Sequence, residues 1–303
     1  MNNSRRSFLR KSAVALTAAA VFPRLALGGN TASDEIVTGL QLYSVRDAMK
    51  KDPLATLTQL AKMGYHNVEH AGYANRKFYG YTVPEFKKVL ADLNMKMPCG
   101  HTVMRAEHWD DKQKDFTDEW KQTVDDAAEM GQHYVISPWL DESLRTDYDR
   151  LSAFLEIFNK SGELCQKSGM KFGYHNHDFE FGEKLKGKKI YDIIMEQTDP
   201  ALVAQQLDIG NMYISGGRAA EVLKQYPGRF ELIHVKDEIK VPGEEKYEST
   251  ILGKGIIGTK EVIELGRKMG GTRYFIIEQE SYQEQDPLAC MDEDLKIMKQ
   301  WGY

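Results

Sequence analysis

Short apolar runs alternate with amphipathic segments along most of the chain. Eight runs have the length and side-chain types of buried strands, and seven segments have apolar residues at helical spacing. The strand-like runs are IVTGLQLYSV (36–45), HNVEHAG (66–72), MKMPCGHT (95–102), HYVISP (133–138), FGYHNHDFEF (172–181), LVAQQLDIG (202–210), FELIHVKD (230–237) and RYFIIEQE (273–280).

Helix start and stop signals punctuate this pattern. Asp52 precedes Pro53 as an N-cap, and Gly64 ends the same segment. Thr82 and Glu85 have the spacing of a capping box. The pattern predicts helices over 52–64, from 82 to about 93, around 120–131, and over 147–168, 219–226, 259–269 and 287–300.

The repeated strand–helix unit predicts the fold class. Eight strands, seven of them followed by a predicted helix and none separated by an internal boundary, indicate a single (β/α)8 TIM barrel over residues 36–303, an α/β fold. A doubly wound open sheet is the alternative, but it normally has a glycine-rich nucleotide turn after its first strand. Here the sequence after Tyr43 is SVRDAMKK.

The N-terminus has the features of an export signal. The segment SRRSFLR, with Arg5 and Arg6 paired, precedes the apolar run AVALTAAAVF and small residues near Gly28. We therefore expect a signal peptide over 1–28 of the twin-arginine type, rather than an ordinary secretory signal, and a polar spacer over 29–35. A periplasmic location follows. No later segment has the ~20 apolar residues that a membrane-spanning helix needs.

Charge and cysteine content exclude some function classes. The full chain has net charge −5, and removal of residues 1–28 would leave 35 Lys and Arg against 45 Asp and Glu. An acidic surface argues against nucleic-acid partners, whose phosphates are bound by Lys and Arg. Three distant cysteines exclude a disulfide-rich scaffold. A small molecule is the expected partner, and no pattern specifies an oligomeric state.

Polar residues recur at the carboxyl ends of the predicted strands, where barrels of this kind place their chemistry. The last four strands each carry two polar residues two positions apart, a spacing that puts both on one strand face. The pairs are His175 and His177, Gln206 and Asp208, His234 and Lys236, and Glu278 and Glu280, and the earlier strands add Gln41, Glu69 and His101.

Four of these residues form a candidate metal site. Burying charged and imidazole groups is costly unless they are partners or share an ion. His175, Asp208, His234 and Glu278 come from four strands at separations close to one strand–helix repeat. Their nitrogen and oxygen donors suit one divalent cation such as Mn, Co, Zn, Fe or Mg.

Other polar features have simpler interpretations. His66, His108 and His133 are interpreted as hydrogen-bonded structural residues, and the charged run 183–189 as a solvated loop. The glycine-rich segments LGKGIIG (252–258) and SGG (215–217) are compatible with a phosphate cradle, but a tight loop between strand and helix is the expected reason for them.

At these residues the chain resembles the xylose-isomerase-like barrel superfamily, in particular proteins described as sugar phosphate isomerase/epimerase. The similar segments are GLQLYSVRD, GYHNVEHAG, CGHTV, YHNHDFEF, QLDIGNMYISG, HVKD, GKGII and FIIEQE, in this order. The resemblance implies a barrel enzyme acting on a sugar or keto-sugar. It also implies one divalent cation, bound at the positions of His175, Asp208, His234 and Glu278.

The positions of neighbouring residues suggest roles around the metal. We expect Glu278 to be the base that removes the proton beside a carbonyl, with His177 as the acid or second base. Lys236 is expected to stabilise the enediolate oxygen or to protonate a leaving hydroxyl. The expected substrate-binding residues are Gln41, Glu69, His101, Glu180 and Gln206.

One position departs from the common epimerase pattern. His175 stands where many sugar epimerases have a Glu, so one carboxylate base is lost while a ligand is kept. The Tyr-His-x-His sequence resembles the inosose dehydratase branch, in which proton abstraction leads to loss of water. We therefore predict an isomerase or epimerase, with a lyase, acting on inososes or eliminating from 3-keto-glycosides, as the alternative.

Two other classes compete with these hypotheses. A barrel nuclease related to endonuclease IV would need further metal ligands and a basic groove, against which the acidic composition argues. A non-catalytic periplasmic sugar-binding protein would surround its ligand with aromatic and amide side chains, and would not require four metal-type ligands.

Overall fold

Eight parallel strands close into a barrel at the centre of the protein. The computed structural model describes residues 36–244 and 246–303; the predicted signal peptide and spacer lie outside them. Each strand pairs with its neighbours along the chain, and the last strand pairs with the first. The strands are β1 (Val37–Gln41), β2 (Asn67–His70), β3 (Lys96–His101), β4 (Tyr134–Ser137), β5 (Lys171–His175), β6 (Val203–Asp208), β7 (Leu232–Val235) and β8 (Tyr274–Ile277).

Helices follow the strands around the barrel. Their starts agree with the sequence signals: the Asp52 side chain accepts a hydrogen bond from the Ala55 amide, and Thr82 and Glu85 form the predicted capping box. The helices are α1 (Arg46–Lys51), α2 (Pro53–Met63), α3 (Val83–Asp92), α4 (Asp118–Met130), α5 (Glu142–Arg145), α6 (Tyr148–Lys167), α7 (Phe179–Gly182), α8 (Ile190–Gln197), α9 (Ile209–Ile214), α10 (Ala219–Gln225), α11 (Thr259–Leu265) and α12 (Pro287–Trp301).

The predicted (β/α)8 TIM barrel is confirmed, and some local predictions are corrected. The fifth strand ends at His175, and the last three residues of its predicted range, 179–181, belong to α7. The charged run 183–189, predicted as a solvated loop, is mostly exposed and contains a hairpin of Lys184–Leu185 and Lys188–Lys189. Lys186 and Gly187 both adopt positive φ and form the tight turn that joins the two strands of this hairpin.

Small and apolar side chains fill the barrel below its polar end. Cys99, Tyr134, Ile136, Leu232 and Ile276 belong to one buried cluster inside it. A Cβ on Gly173 would lie 2.5 Å from Cδ1 of Ile136, so β5 needs glycine there. This filled interior leaves the carboxyl ends of the strands as the place where a ligand can enter.

The strand–helix connections at the carboxyl ends contain additional short structures. The segment after β2 forms a three-stranded meander, with strands Tyr73–Ala74, Lys77–Phe78 and Tyr81–Thr82. A hairpin of Asp237–Lys240 and Tyr247–Thr250 follows β7, and a hairpin of Trp109–Asp110 and Asp115–Phe116 follows β3. Among the described residues, no helix combines the length and apolar character needed to cross a membrane.

Candidate metal centre and active-site cavity

A cavity of about 440 Å³ opens at the carboxyl end of the barrel. Its position is the one that TIM barrels use for catalysis. Its walls come from several strand ends and the loops that follow them. The lining residues are Tyr43, Ala71, His101, Val103, Arg105, Pro138, Trp139, His175, His177, Asn211, Glu278 and Glu280.

The four predicted ligands meet at the buried end of this cavity. One donor atom from each of His175, Asp208, His234 and Glu278 lies within 4.8 Å of the others, and all four residues are buried. The first three are on β5, β6 and β7, and Glu278 immediately follows β8. Asp208 and His234 are also register partners on adjacent strands.

Contacts outside the cluster orient three of these side chains. The Nδ1 of His175 lies 3.0 Å from Oε1 of Gln206, and Nε2 of His234 lies 2.6 Å from Oε1 of Glu69. Asp208 caps α9, since its Oδ1 accepts from the Gly210 and Asn211 amides at 2.9 and 2.7 Å. In each of these three side chains, one polar atom is hydrogen-bonded to a residue outside the cluster and the second polar atom faces the other ligands. Metal ligands in proteins are commonly oriented in this way.

The donors that face the cluster fit a divalent cation. The buried Oδ2 of Asp208 accepts no hydrogen bond, although the Lys236 Nζ lies 3.2 Å away as an ion-pair partner. Two imidazoles and two carboxylates are a donor set used by Zn, Mn, Co and Fe. His101, His175 and His234 also have nitrogen atoms close together, so His101 borders the same site.

The pKa values of the clustered residues depend on burial and on neighbouring groups of opposite charge. Burial alone would raise the pKa of Glu278, but Lys236 and His234 hold it well below its usual range. Burial raises the pKa of Asp208 to about 6, against the opposing effect of Lys236. Burial lowers the pKa of His234, yet Glu69 and Glu278 raise it to about 10. Glu278 is therefore ionised, and the His234 ring is protonated until a cation takes its proton's place.

Lys236 is a buried cation beside these carboxylates. Its Nζ lies 3.2 Å from Asp208 Oδ2, 3.0 Å from Glu278 Oε2 and 2.6 Å from Glu280 Oε1. Burial opposes its charge, but these three carboxylates raise its pKa well above the usual value. Lys236 does not line the cavity, whereas Glu280, to which its ammonium donates, does.

His177 lines the cavity from a loop rather than from a strand. β5 ends two residues earlier, so strand alternation does not place this ring, and the expectation of a shared strand face is wrong. The loop nevertheless brings its ring centroid to 5.2 Å from that of His175. Burial, with Lys236 adding to it, lowers the pKa of His177 to about 4. Its Nδ1 is buried and has no hydrogen-bond partner.

The expected substrate-binding residues divide into two groups. His101 lines the cavity, whereas Gln41, Glu69 and Gln206 are buried beneath it. The last three form a layer of amides and a carboxylate that contacts the histidines, with Gln206 Oε1 2.7 Å from His101 Nε2. Their contacts orient the histidine rings.

Glu180 is likewise buried behind the cavity wall. Its carboxylate accepts hydrogen bonds from the Tyr174 hydroxyl and from the His177 amide, the latter at 2.9 Å. Burial raises the pKa of Glu180 to about 7, even though these donors oppose the change. It contacts the backbone of His177 and holds that loop in place.

Several cavity residues were not predicted from the sequence. Trp139 forms a wall against His177, with ring centroids 5.3 Å apart, and Arg145 lies over the Trp139 ring at 4.4 Å. Asn211 reaches the cavity from α9, one turn after the predicted ligand Asp208. The aromatic residue after a predicted strand end was the available signal for Trp139. The histidines interpreted as structural, His66, His108 and His133, do not line the cavity.

The glycine-rich segment after β7 surrounds a carboxylate of the protein itself. The amides of Gly253 and Gly255 donate to Oδ2 of Asp237 at 2.9 and 3.1 Å, and the Ile257 amide donates to Oδ1 at 3.2 Å. A Cβ on Gly255 would lie 2.2 Å from Asp237 Oδ1. The segment is therefore a tight loop that holds the residue after Lys236.

Nitrogen and oxygen donors converge at the carboxyl ends of the barrel strands. TIM-barrel enzymes have their active sites at this end, and donors of this kind are typical of metal sites. The family model described as the xylose isomerase-like TIM barrel matches residues 57–301. The chain belongs to this family.

Curated relatives include two inosose dehydratases. The protein from Geobacillus thermodenitrificans (strain NG80-2) is 27% identical over 190 residues, which cover 57% of this chain and 61% of the relative. The protein from Clostridium perfringens (strain 13 / Type A) is 28% identical over 190 residues, covering 57% and 62%. The matched regions thus span about six-tenths of the length of these relatives.

Solved structures share the fold over nearly the whole described barrel. A sugar phosphate isomerase/epimerase from Parabacteroides distasonis ATCC 8503 has 25% identity and a TM-score of 0.71, covering 89% of this chain and 95% of that protein. The IolI protein with a bound zinc atom has 13% identity and a TM-score of 0.68, covering 88% and 98%. The latter similarity concerns the fold alone.

Proposed function

We propose that the protein is a divalent-metal-dependent enzyme that removes a proton beside the carbonyl group of a sugar or keto-sugar. The convergence of donor atoms from His175, Asp208, His234 and Glu278 within 4.8 Å beneath an open cavity carries this proposal. These four residues would hold the cation. When bound, it supplies Lewis acidity toward the oxygens of the substrate and so acidifies the neighbouring C–H bond.

Glu278 is the proposed base. It is ionised and lines the cavity, so its carboxylate is available to a substrate proton. His177 lines the same cavity in its neutral form, so its ring offers a second proton acceptor. A neutral resting state favours His177 as a base that later returns a proton.

Lys236 is proposed to act mainly through its carboxylate neighbours. Its charge keeps Glu278 ionised and positions Glu280 at the cavity wall. Because Lys236 does not line the cavity, direct contact between the ammonium and an enediolate oxygen or a leaving hydroxyl would require the surrounding side chains to rearrange. His101 is proposed to contact substrate hydroxyls, whereas Gln41, Glu69, Gln206 and Glu180 hold the residues that do so.

Two outcomes are open to the enolate that proton removal creates. Return of the proton to carbon would make the protein an isomerase or epimerase. Expulsion of a hydroxyl group would make it a lyase. The lyase is favoured by the inosose dehydratase relatives, and by His175 in place of a second carboxylate base on β5.

Solvent exchange tests the shared first step. The metal-loaded protein is incubated in D2O with an inosose and, separately, with D-fructose, and deuterium at the carbon next to the carbonyl is followed by NMR. We expect exchange that chelation abolishes and that Glu278→Gln slows by roughly 10²-fold or more. Glu183→Gln, an exposed carboxylate of the hairpin, is the matched control.

The products distinguish the two outcomes. Loss of water creates a conjugated carbonyl product with new ultraviolet absorbance, whereas isomerisation or epimerisation gives an isomer of unchanged mass. Turnover of any sugar by the metal-loaded protein without deuterium incorporation would overturn the proton-transfer mechanism. A purified protein that neither contains nor binds Mn, Co or Zn would overturn the metal assignment and favour the sugar-binding alternative.

A further inference from the structure

A second cavity of about 440 Å³ adjoins the active-site cavity. Tyr43 and Ala71 line both spaces, so the two cavities share a boundary. The two cavities are therefore neighbours, which brings a group attached to a sugar in the first cavity close to the second. The second cavity is lined by Leu42, Tyr43, Arg46, Met49, Lys50, Pro53, Ala71 and Tyr79.

The second cavity contains two cations without carboxylate partners. Arg46 and Lys50 lie one turn apart on α1, a spacing that places both side chains on one helix face. Among the described residues neither forms an ion pair. Arg46 instead donates to the carbonyl oxygens of Tyr43 and Glu280, and Lys50 is exposed. This pair is a local positive site in a protein of net charge −5.

The rest of the wall is apolar and aromatic. Leu42 and Met49 are buried at its base, and the Arg46 guanidinium lies 4.7 Å from the centre of the exposed Tyr43 ring. Tyr79 has a left-handed backbone, with φ of 50°, and a Cβ on Gly72 would lie 2.4 Å from its ring. The Tyr79 hydroxyl accepts a hydrogen bond from the Ala71 amide at 2.9 Å, which holds the ring in the wall.

We infer that the second cavity is a subsite for a flat, apolar and negatively charged group attached to the sugar, such as an aromatic carboxylate aglycone. The inference rests on the proposed function, which places the reacting sugar in the active-site cavity. Arg46 and Lys50 recognise the carboxylate by charge-assisted hydrogen bonds, and the tyrosine rings contact the flat group. An inorganic anion alone would leave the apolar wall uncovered.

Calorimetric titration with two matched glycosides tests this subsite. The probes are phenyl β-D-glucopyranoside and 4-carboxyphenyl β-D-glucopyranoside, which differ only in the carboxylate, added to the purified metal-loaded protein. We expect the carboxylate to lower Kd at least fivefold. Lys50→Glu should abolish this preference, and Lys51→Glu, at the next position of α1 but outside the cavity lining, should retain it.

Each result decides the inference without depending on turnover. Equal binding of both probes, no binding of either, or equal effects of Lys50→Glu and Lys51→Glu would overturn the subsite. A Lys50-dependent preference supports it even if no sugar exchanges deuterium, in which case the proposed reaction fails and the binding site stands. Exchange without the preference supports the reaction and rejects the subsite.

Discussion

Glu69 receives the Nε2–H of His234 at 2.6 Å, and both residues are buried. The oxygen that accepts this hydrogen bond, Glu69 Oε1, also accepts from Gln41 Nε2 at 2.6 Å and lies 3.0 Å from His101 Nε2. The other oxygen, Oε2, accepts from Gln206 Nε2 at 2.7 Å. Every neighbour of this carboxylate is thus a donor. Glu69 fixes the His234 ring with its Nδ1 toward the candidate metal centre.

Glu69→Gln should weaken metal binding. Both oxygens of Glu69 accept hydrogen bonds, so the NH2 group of the introduced glutamine would face a donor in either orientation. The His234 ring would then lose its fixed orientation. We expect about 10- to 100-fold weaker metal affinity, the usual effect of losing an outer-sphere partner. Competition with a chelator measures the affinity for Zn or Co. Glu231→Gln, a partly buried carboxylate bonded to Lys171 and Tyr134, is the control and should retain wild-type affinity.

His175→Ala and His177→Ala should separate metal binding from proton transfer. We expect His175→Ala to lose bound metal because the side chain supplies one of four donors. His177→Ala should keep the metal and slow deuterium exchange by roughly 10²-fold, since it removes only a proton acceptor. Elemental analysis and the exchange assay provide the two measurements. Loss of metal in His177→Ala would mean that the ligand assignment within YHNH is wrong.

Lys236→Met should destabilise the metal-free protein and make it depend on metal. The substitution leaves Asp208, Glu278 and Glu280 without their shared cation. Breaking a buried ion cluster in this way costs about 3–5 kcal/mol. Urea unfolding with a chelator should reveal the loss, and added Mn or Co should restore more stability to the variant than to the wild type. Equal metal effects on both proteins would contradict this account.

At neutral and higher pH the wild-type protein loses stability because Asp294 ionises, and Asp294→Asn should prevent this loss. Burial raises the pKa of Asp294 to about 7, above the ~3.9 of an unfolded aspartate. The folded state therefore binds the proton more tightly, and this group's favourable contribution is complete below about pH 4 and lost as the pH rises through 7. Asn keeps an oxygen for the Leu252 amide.

The free energy of unfolding, measured in urea at pH 5 and pH 8, tests this prediction. The difference between Asp294→Asn and the wild type should move in the variant's favour by on the order of 2 kcal/mol between these values. Asp292→Asn, at a less buried position of α12, is the control. A pH-independent difference for Asp294→Asn would show that the carboxyl does not titrate in this range.

Replacing Arg5 and Arg6 with Lys should retain the protein in the cytoplasm. The prediction rests on the sequence alone, because the paired arginines form the address of the folded-protein export route. Cell fractionation of the expressed full-length chain measures the outcome. Lys11→Arg, which keeps the pair, serves as the control. Normal periplasmic recovery of the double variant would contradict a twin-arginine signal.

The barrel could be predicted because its signals are local and repeated. Each strand shows as a short apolar run, and the carboxyl ends were recognisable by polar pairs such as Gln206 and Asp208. The barrel topology then requires those ends to meet, which is why the sequence grouped His175, Asp208, His234 and Glu278. The structure brings their donor atoms together.

The positions of loop residues could not be predicted in the same way. His177 was given a strand position because β5 has no stop signal after His175, and its ring is placed by packing against Trp139 and Phe179. The burial of Gln206 depends on Glu69, 137 residues earlier in the chain. The second cavity likewise joins α1 to the meander after β2. Such contacts leave no periodic trace in the sequence.

The loop around Asp237 has a consequence for the choice between phosphorylated and unphosphorylated sugars. Its amides are the kind of donor that seats a phosphoryl group in many barrels, yet here a resident carboxylate already saturates them. A phosphate approaching this rim would be repelled by that carboxylate and would find no free amides there. Among the described residues, this loop therefore offers no free backbone amides to a phosphoryl group.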